Sequence, residues 1–286
     1  MKRLIITALI GLLGGWTVPA QAFLLVSTDD GVPTRWQQQC IPWKMNELGS
    51  DDISFEEAHE VITTAFTVWS DLEESFIRFE DQGTTELDFV SLSQGVGENI
   101  VLWHEDGQWP YALHVIGLTS LTYDTHTGQI MDADIEMNGD DYRFATDGAP
   151  HAYDAQQSLT HEVGHLLGLD HSLDEDAVMF AESQPGETHK RLLQPDDAAG
   201  LEFSHPLSAT PQRDGCIEPT IVTAPAKSGC SGGGTSSLLL ASLAMAWLGL
   251  RRRRRDGRVL SMTLVVALAV GGSARAGTPY TTEDGV

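Results

Sequence analysis

The residue types best suited to chemistry in this chain lie close together, in the run His161-Glu162-Val163-Gly164-His165-Leu166-Leu167-Gly168-Leu169-Asp170-His171. On a helix, positions i and i+4 fall on one face, so His161 and His165 can reach one ion together. Glu162, next to the first imidazole, can hold a water on that ion instead of binding the ion itself. Gly168 follows three residues after His165, where a helix can end and the backbone can turn sharply. The returning chain then brings His171 up as a third nitrogen donor. Three protein donors with one position open is the arrangement of catalytic zinc, whereas structural zinc is closed by four. The chemistry implied is metal-assisted hydrolysis with Glu162 as the general base.

Such a constellation needs a helix and a scaffold that fix it. The helix that carries it is expected from about Ala152 to Leu167. Upstream, Ser54 followed by Glu57 is a capping box, and Ala58, Val61, Ile62, Ala65, Phe66, Val68 and Trp69 form an apolar stripe near the 3.6 spacing. Strands are expected at Ile41 to Asn46, Phe76 to Phe79, Leu87 to Val90, Ile100 to Trp103, Val115 to Tyr123 and Ile130 to Met137, separated by glycine-containing loops. Pro195 and the aspartates beside it open a last short helix through Phe203. A strand cluster with helices before and after it reads as an α+β domain.

The motif His-Glu-x-x-His is the zinc-binding pattern of metalloproteases. Its extension through Gly168 and His171, with Met179 a short way downstream, is the metzincin signature. His171-Ser172, the Ala177-Val178-Met179 turn and Leu193-Gln-Pro-Asp-Asp-Ala-Ala-Gly-Leu201 resemble the matrixin branch of that group. So do Trp36 with Ile41 to Asn46, the helix ending in Ala65-Phe-Thr-Val-Trp69, and Thr127-Gly-Gln-Ile-Met-Asp-Ala-Asp-Ile-Glu-Met-Asn138. The resemblance runs over residues 35 to 204. It implies a metzincin-like catalytic domain: a twisted, mostly parallel sheet of about five strands, an active-site helix and two other helices. It also implies zinc held by His161, His165 and His171, a packing role for Met179 beneath the site, and endopeptidase activity on protein or peptide substrates. No cysteine-switch segment like that of animal matrixins precedes the domain, so latency by a thiolate on zinc is not expected. His104, Asp106 and His114 stand where such proteins carry a second zinc, but their spacing departs from the pattern. Asp132, Asp134 and Glu136 alternate along one strand and so share a face, which suits either Ca2+ or a solvated strand. The second class of function is a catalytically inactive surface binding protein on the same fold.

The chain of 286 residues has a formal net charge of −24. Between residues 23 and 227 lie eight basic and thirty-eight acidic residues, a balance of −30. That field excludes nucleic acid as a partner and keeps an exported monomer soluble. Lys2 and Arg3, the apolar run Leu4 to Val18 and the small-x-small site Ala20-Gln21-Ala22 read as a signal peptide over residues 1–22. The peptidase domain is then 23–205. Three cysteines do not make a disulfide scaffold, although Cys40 and Cys216 flank the domain and could pair after export.

Residues 206–235 form a Pro-, Gly- and Ser-rich linker, and 236–255 an apolar segment closed by Arg251 to Arg255. Cys230, that apolar run and the arginine block resemble the C-terminal sorting tails of myxobacterial surface proteins. In that reading Cys230 marks processing and the tail engages a membrane or a surface-sorting system; the other reading is a simple anchor. Residues 256–286 hold a second signal-like run, Met262 to Ala276. It is expected to be the start of a neighbouring protein joined at a mistaken gene boundary, with a second membrane segment as the rival.

Overall fold

The computed structural model describes residues 21–88 and 98–209, together with the backbone of 261–270. Cys230, the linker beyond Ala209, the apolar segment and the arginine block lie outside the described residues. In chain order the strands are β1 (Leu24–Leu25), β2 (Cys40–Asn46), β3 (Arg78–Thr85), β4 (Ile100–His104), β5 (Val115–Asp124), β6 (Ile130–Asn138), β7 (Phe144–Ala145), β8 (Tyr153–Asp154), β9 (Leu169–Asp170), β10 (Glu182–Ser183) and β11 (Ser261–Val270). The helices are α1 (Phe55–Ser70), α2 (Ala155–Leu166) and α3 (Pro195–Ser204).

The capping box starts α1 as its sequence requires. The Ser54 hydroxyl accepts the Glu57 N–H while the Glu57 carboxylate accepts the Ser54 N–H. The stripe Ala58, Val61, Ile62, Ala65, Phe66 and Trp69 is buried. Val68 is only partly buried and lies at the margin of the stripe. The main sheet has the order β10-β11-β5-β6-β4-β2-β3. Strands β3, β2, β4 and β6 run parallel, and β5 is antiparallel to β6. The domain is therefore α+β, with a mostly parallel five-stranded sheet at its centre and three helices. Helices α1 and α2 pack on one another and on one face of this sheet, around Trp69, Leu159, Val163, Ile135 and Met137.

The strand expected at Phe76 to Phe79 is displaced. Phe76 and Ile77 are buried as the approach to the sheet, and pairing begins at Arg78 and runs to Thr85. This is a polar edge strand, so apolar alternation marked only its entrance. Leu87 and Asp88 are not in a strand, and the rest of the stretch expected to Val90 lies outside the described residues. The active-site helix starts at Ala155, later than expected, because Asp154 caps it by accepting the Gln157 N–H. Asp154 also binds Arg191, through Nε at 2.9 Å and through Nη2. Cys40 is disulfide-bonded, while Cys216 and Cys230 lie outside the described residues.

On β6, Ala133, Ile135 and Met137 enter the core beneath the helices, so Asp132, Asp134 and Glu136 face the other way. A solvated strand face was one expectation for these acids, but all three are buried, at 2–3% exposure. The end of β4 and the chain after it supply the cover: His104 lies 2.6 Å from the Glu136 carboxylate, and Tyr111 donates its hydroxyl to the same group at 2.8 Å. Asp134 accepts the Ile100 N–H at 3.0 Å. Burial, then Asp132 and Glu136 nearby, push the Asp134 carboxyl up to about 8. Its unfolded value is about 4. Between those values the folded state binds more protons than the unfolded one, so this group's contribution falls as pH rises from about 4 to about 8. The substitution Asp134→Asn keeps an acceptor oxygen for Ile100 and removes the titration. Its Tm is expected to exceed that of the parent at about pH 8, with the gap closing towards about pH 4. Thermal unfolding across that range checks this.

Candidate metal centre

Helix α2 is held by two indoles and closed by a glycine. Trp69 donates its N–H to the Thr160 carbonyl at 2.9 Å, and Trp36 donates to the Leu166 carbonyl at 2.8 Å. Gly168 then turns the chain with φ +87°, and a Cβ there would begin 2.5 Å from the Thr34 carbonyl oxygen. Only glycine meets both the left-handed backbone and that approach. Strand β9 returns antiparallel to β1, and Asp170 accepts the N–H of His171 at 2.7 Å.

This path brings His161, His165 and His171 together. One ligand atom from each lies within 4.8 Å of the others, and their rings are 4.6 to 5.3 Å apart between centroids. His161 and His165 are buried and His171 is partly exposed. The Nδ1 atoms of the first two are oriented by backbone carbonyls, Val178 at 2.7 Å for His161 and Leu169 at 2.8 Å for His165. With the proton on Nδ1, each Nε2 carries a lone pair for a metal. Among the described residues no hydrogen-bond partner meets the buried Nε2 atoms of His161 and His165. Burial first, then the neighbouring imidazoles, push both rings well below the usual histidine range, so both are neutral, as ligands must be. The residues present fit a zinc ion with three nitrogen donors.

Glu162 sits between α2 and β5. The Thr119 hydroxyl donates to its carboxylate at 2.7 Å, and a side chain at Gly117 would begin 3.0 Å from its Oε1. Thr119 was not singled out in the sequence; its alternation within β5 gave no hint that it would meet a helix distant in the chain. The same holds for Asp197. Its acidic residue type suited the first turn of α3, but the buried carboxylate also accepts the N–H groups of Val178 at 2.9 Å and Met179 at 3.0 Å. A third N–H comes from Gln194 at 2.8 Å. Burial raises the Asp197 carboxyl, and these three donors oppose the rise. Asp196 beside it accepts the Ser172 hydroxyl and the Ala22 N–H.

Met179 is 2% exposed and lies against the helix where Gly164 leaves room. A Cβ at Gly164 would stand 2.1 Å from the Met179 sulfur and 2.9 Å from Cζ2 of Trp69. Alanine gains about 1 kcal/mol of helix propensity over glycine. Overpacking costs about 1–3 kcal/mol and here displaces a residue pinned through its backbone. Gly164→Ala is therefore expected to lower stability by a net ~0–2 kcal/mol in urea unfolding, towards the upper end because the Cβ would stand only 2.1 Å from the Met179 sulfur.

Among the described residues the histidine triad is the one group of three or more potential ligands that converges on a point. Asp132, Asp134 and Glu136 do not converge in this way, so the expectation of Ca2+ there is not supported. His104 is engaged with Glu136, and Asp106 accepts the Gln108 N–H, so the remnants of a second zinc site do not assemble either.

The family model for matrixins, Peptidase M10, matches residues 35–204. The chain is 30% identical over 172 residues to Metalloendoproteinase 2-MMP of Arabidopsis thaliana, covering 59% of this chain and 42% of that protein. It is 28% identical over 171 residues to Metalloendoproteinase 1-MMP of the same plant, covering 58% and 43%. Human neutrophil collagenase is 23% identical over 186 residues, covering 65% of this chain and 35% of its own length. The chain thus spans less than half the length of these relatives.

Proposed function

The chain belongs to the matrixin family, and from that premise we propose that it is an exported zinc-dependent endopeptidase acting on protein or peptide substrates. What carries the reading is the convergence of three imidazole donors beside a carboxylate that is not one of them. Zinc, when bound to His161, His165 and His171, polarises a scissile carbonyl and makes a water acidic. The protein's own groups do the rest. Glu162 takes the proton from the attacking water and returns it to the leaving amine nitrogen. Thr119 holds that carboxylate in place by its 2.7 Å hydrogen bond. The side of β5 that faces away from β6 orders the substrate backbone by strand addition. Met179 and Asp197 support the site from below and fix the Val178 carbonyl that orients His161.

Export rests on the signal-like residues 1–22, and attachment at a surface on the Cys230 tail. Among the described residues no helix is long and apolar enough to cross a membrane. The experiment is cleavage of a peptide library by the full chain, with and without a zinc chelator. Cleavage at internal bonds, abolished by chelation and restored by Zn2+, is expected. A chain that binds one zinc and cleaves no peptide would turn the reading towards the inactive binding protein.

A further inference from the structure

Strand β11 comes from the extension that follows the arginine block, yet its backbone lies along the side of β5 that faces away from β6. It runs antiparallel to β5 from Ser261 opposite Asp124 to Leu268 opposite Gly117. Its far end is flanked on the other side by β10, with Glu182 opposite Ala269 and Ser183 opposite Val270, in parallel. The segment is thus laddered along β5 from Ser261 to Ala269, and only its last two residues, Ala269 and Val270, also meet a strand on the other side. Gly117 is the position next to the Glu162 carboxylate, so Leu268 crosses the site level with the general base. The pairing slips between Leu268 and Ala269, and the irregularity falls at that same level.

We infer that Ser261–Val270 is a tethered occupant of the substrate position, which competes with substrate and lowers the activity of the full chain without abolishing it, and displays the peptide class the slot accepts. That class is an extended run without charge, proline or glycine, as in Ser261-Met-Thr-Leu-Val-Val-Ala-Leu-Ala-Val270. Backbone ladders supply the binding, and the tether raises the local concentration so that modest intrinsic affinity suffices. At the slip beside Glu162, consecutive Leu268 and Ala269 lie opposite Gly117 and Val115, so the extra residue at that level is Ile116 of β5. The inference rests on the peptidase reading above. It also takes residues 256–286 as part of the working chain, against a mistaken gene boundary.

The test compares the zinc-loaded full chain with a double variant, Thr263→Pro with Val265→Pro. Proline removes ladder donors and is excluded from the middle of a sheet. The probe is an internally quenched peptide of the Ser261–Val270 sequence. The variant is expected to show a kcat/KM at least tenfold above the parent. Hydrogen exchange is expected to show alternate amides of Val115–Asp124 losing protection in the variant, while those paired to β6 stay slow. Equal kcat/KM and equal protection in both chains would overturn the inference and leave the peptidase reading intact. If neither chain cleaves a peptide, the peptidase reading fails, and the exchange data still decide whether β5 is covered. Protein from the native cell that ends before Ser261 would also overturn it.

Discussion

The variant Glu162→Gln is expected to lose about a thousandfold in kcat/KM while keeping its zinc, since a positioned general base contributes roughly 10²–10⁴. The side chain is fully buried between α2 and β5 and is not one of the three converging donors. Glutamine has the same shape and keeps a carbonyl oxygen for the Thr119 hydroxyl, so the packing at Gly117 is preserved. What it lacks is the ability to accept a proton and return it. The measurement pairs turnover of a quenched peptide with metal content by mass spectrometry. One zinc per chain with undiminished turnover would remove Glu162 from proton transfer.

The second large effect is expected at His165. It lies at the centre of the triad, fully buried, with ring centroids of its partners 4.6 and 4.8 Å away. The substitution His165→Ala removes one of three nitrogen donors and leaves the Leu169 carbonyl without its ring partner. Loss of an outer-shell partner alone costs roughly 10- to 100-fold in metal affinity, so loss of a donor should exceed a hundredfold. A ligand at about a thousand times its Kd stabilises the folded state by about 4 kcal/mol. The parent chain should therefore show a large rise in Tm between chelator and Zn2+, and the variant a rise less than half as large. An equal rise in both chains would take His165 out of the ligand set.

Where local pattern governed, the sequence was readable. The capping box at Ser54, the apolar stripe of α1, the two-residue alternation of β6 and the spacing from His161 to His171 depend on neighbours within a few positions. Helix α3 was placed at Pro195 because proline and acids in a first turn are local signals too. The parts that were not readable depend on partners far along the chain. Thr119 reaches Glu162 across forty-three positions, and Asp197 reaches Val178 across nineteen. Nothing near Asp132, Asp134 and Glu136 announces that Tyr111 and His104 will cover them, so alternation alone left them as a metal site or a wet face. The polar strand β3 lacked an apolar face because it lies at the sheet edge. The second apolar run near the C-terminus has the composition of a signal sequence, and its described part, through Val270, forms a strand, an ambiguity that apolar runs carry when periodicity is absent.

The clasp between Asp197 and the Val178-Met179 turn sets an order in time. A nascent chain that has reached Arg191 already holds His161, Glu162, His165 and His171, and even Met179. It lacks the carboxylate that fixes the turn, and without that turn the carbonyl that aims His161 has no set position. Domains fold as units as they emerge during synthesis. On the proposed peptidase reading, hydrolytic competence therefore arrives with the last helix of the domain and not with its metal motif, which delays the cutting edge until the rest of the domain has been made.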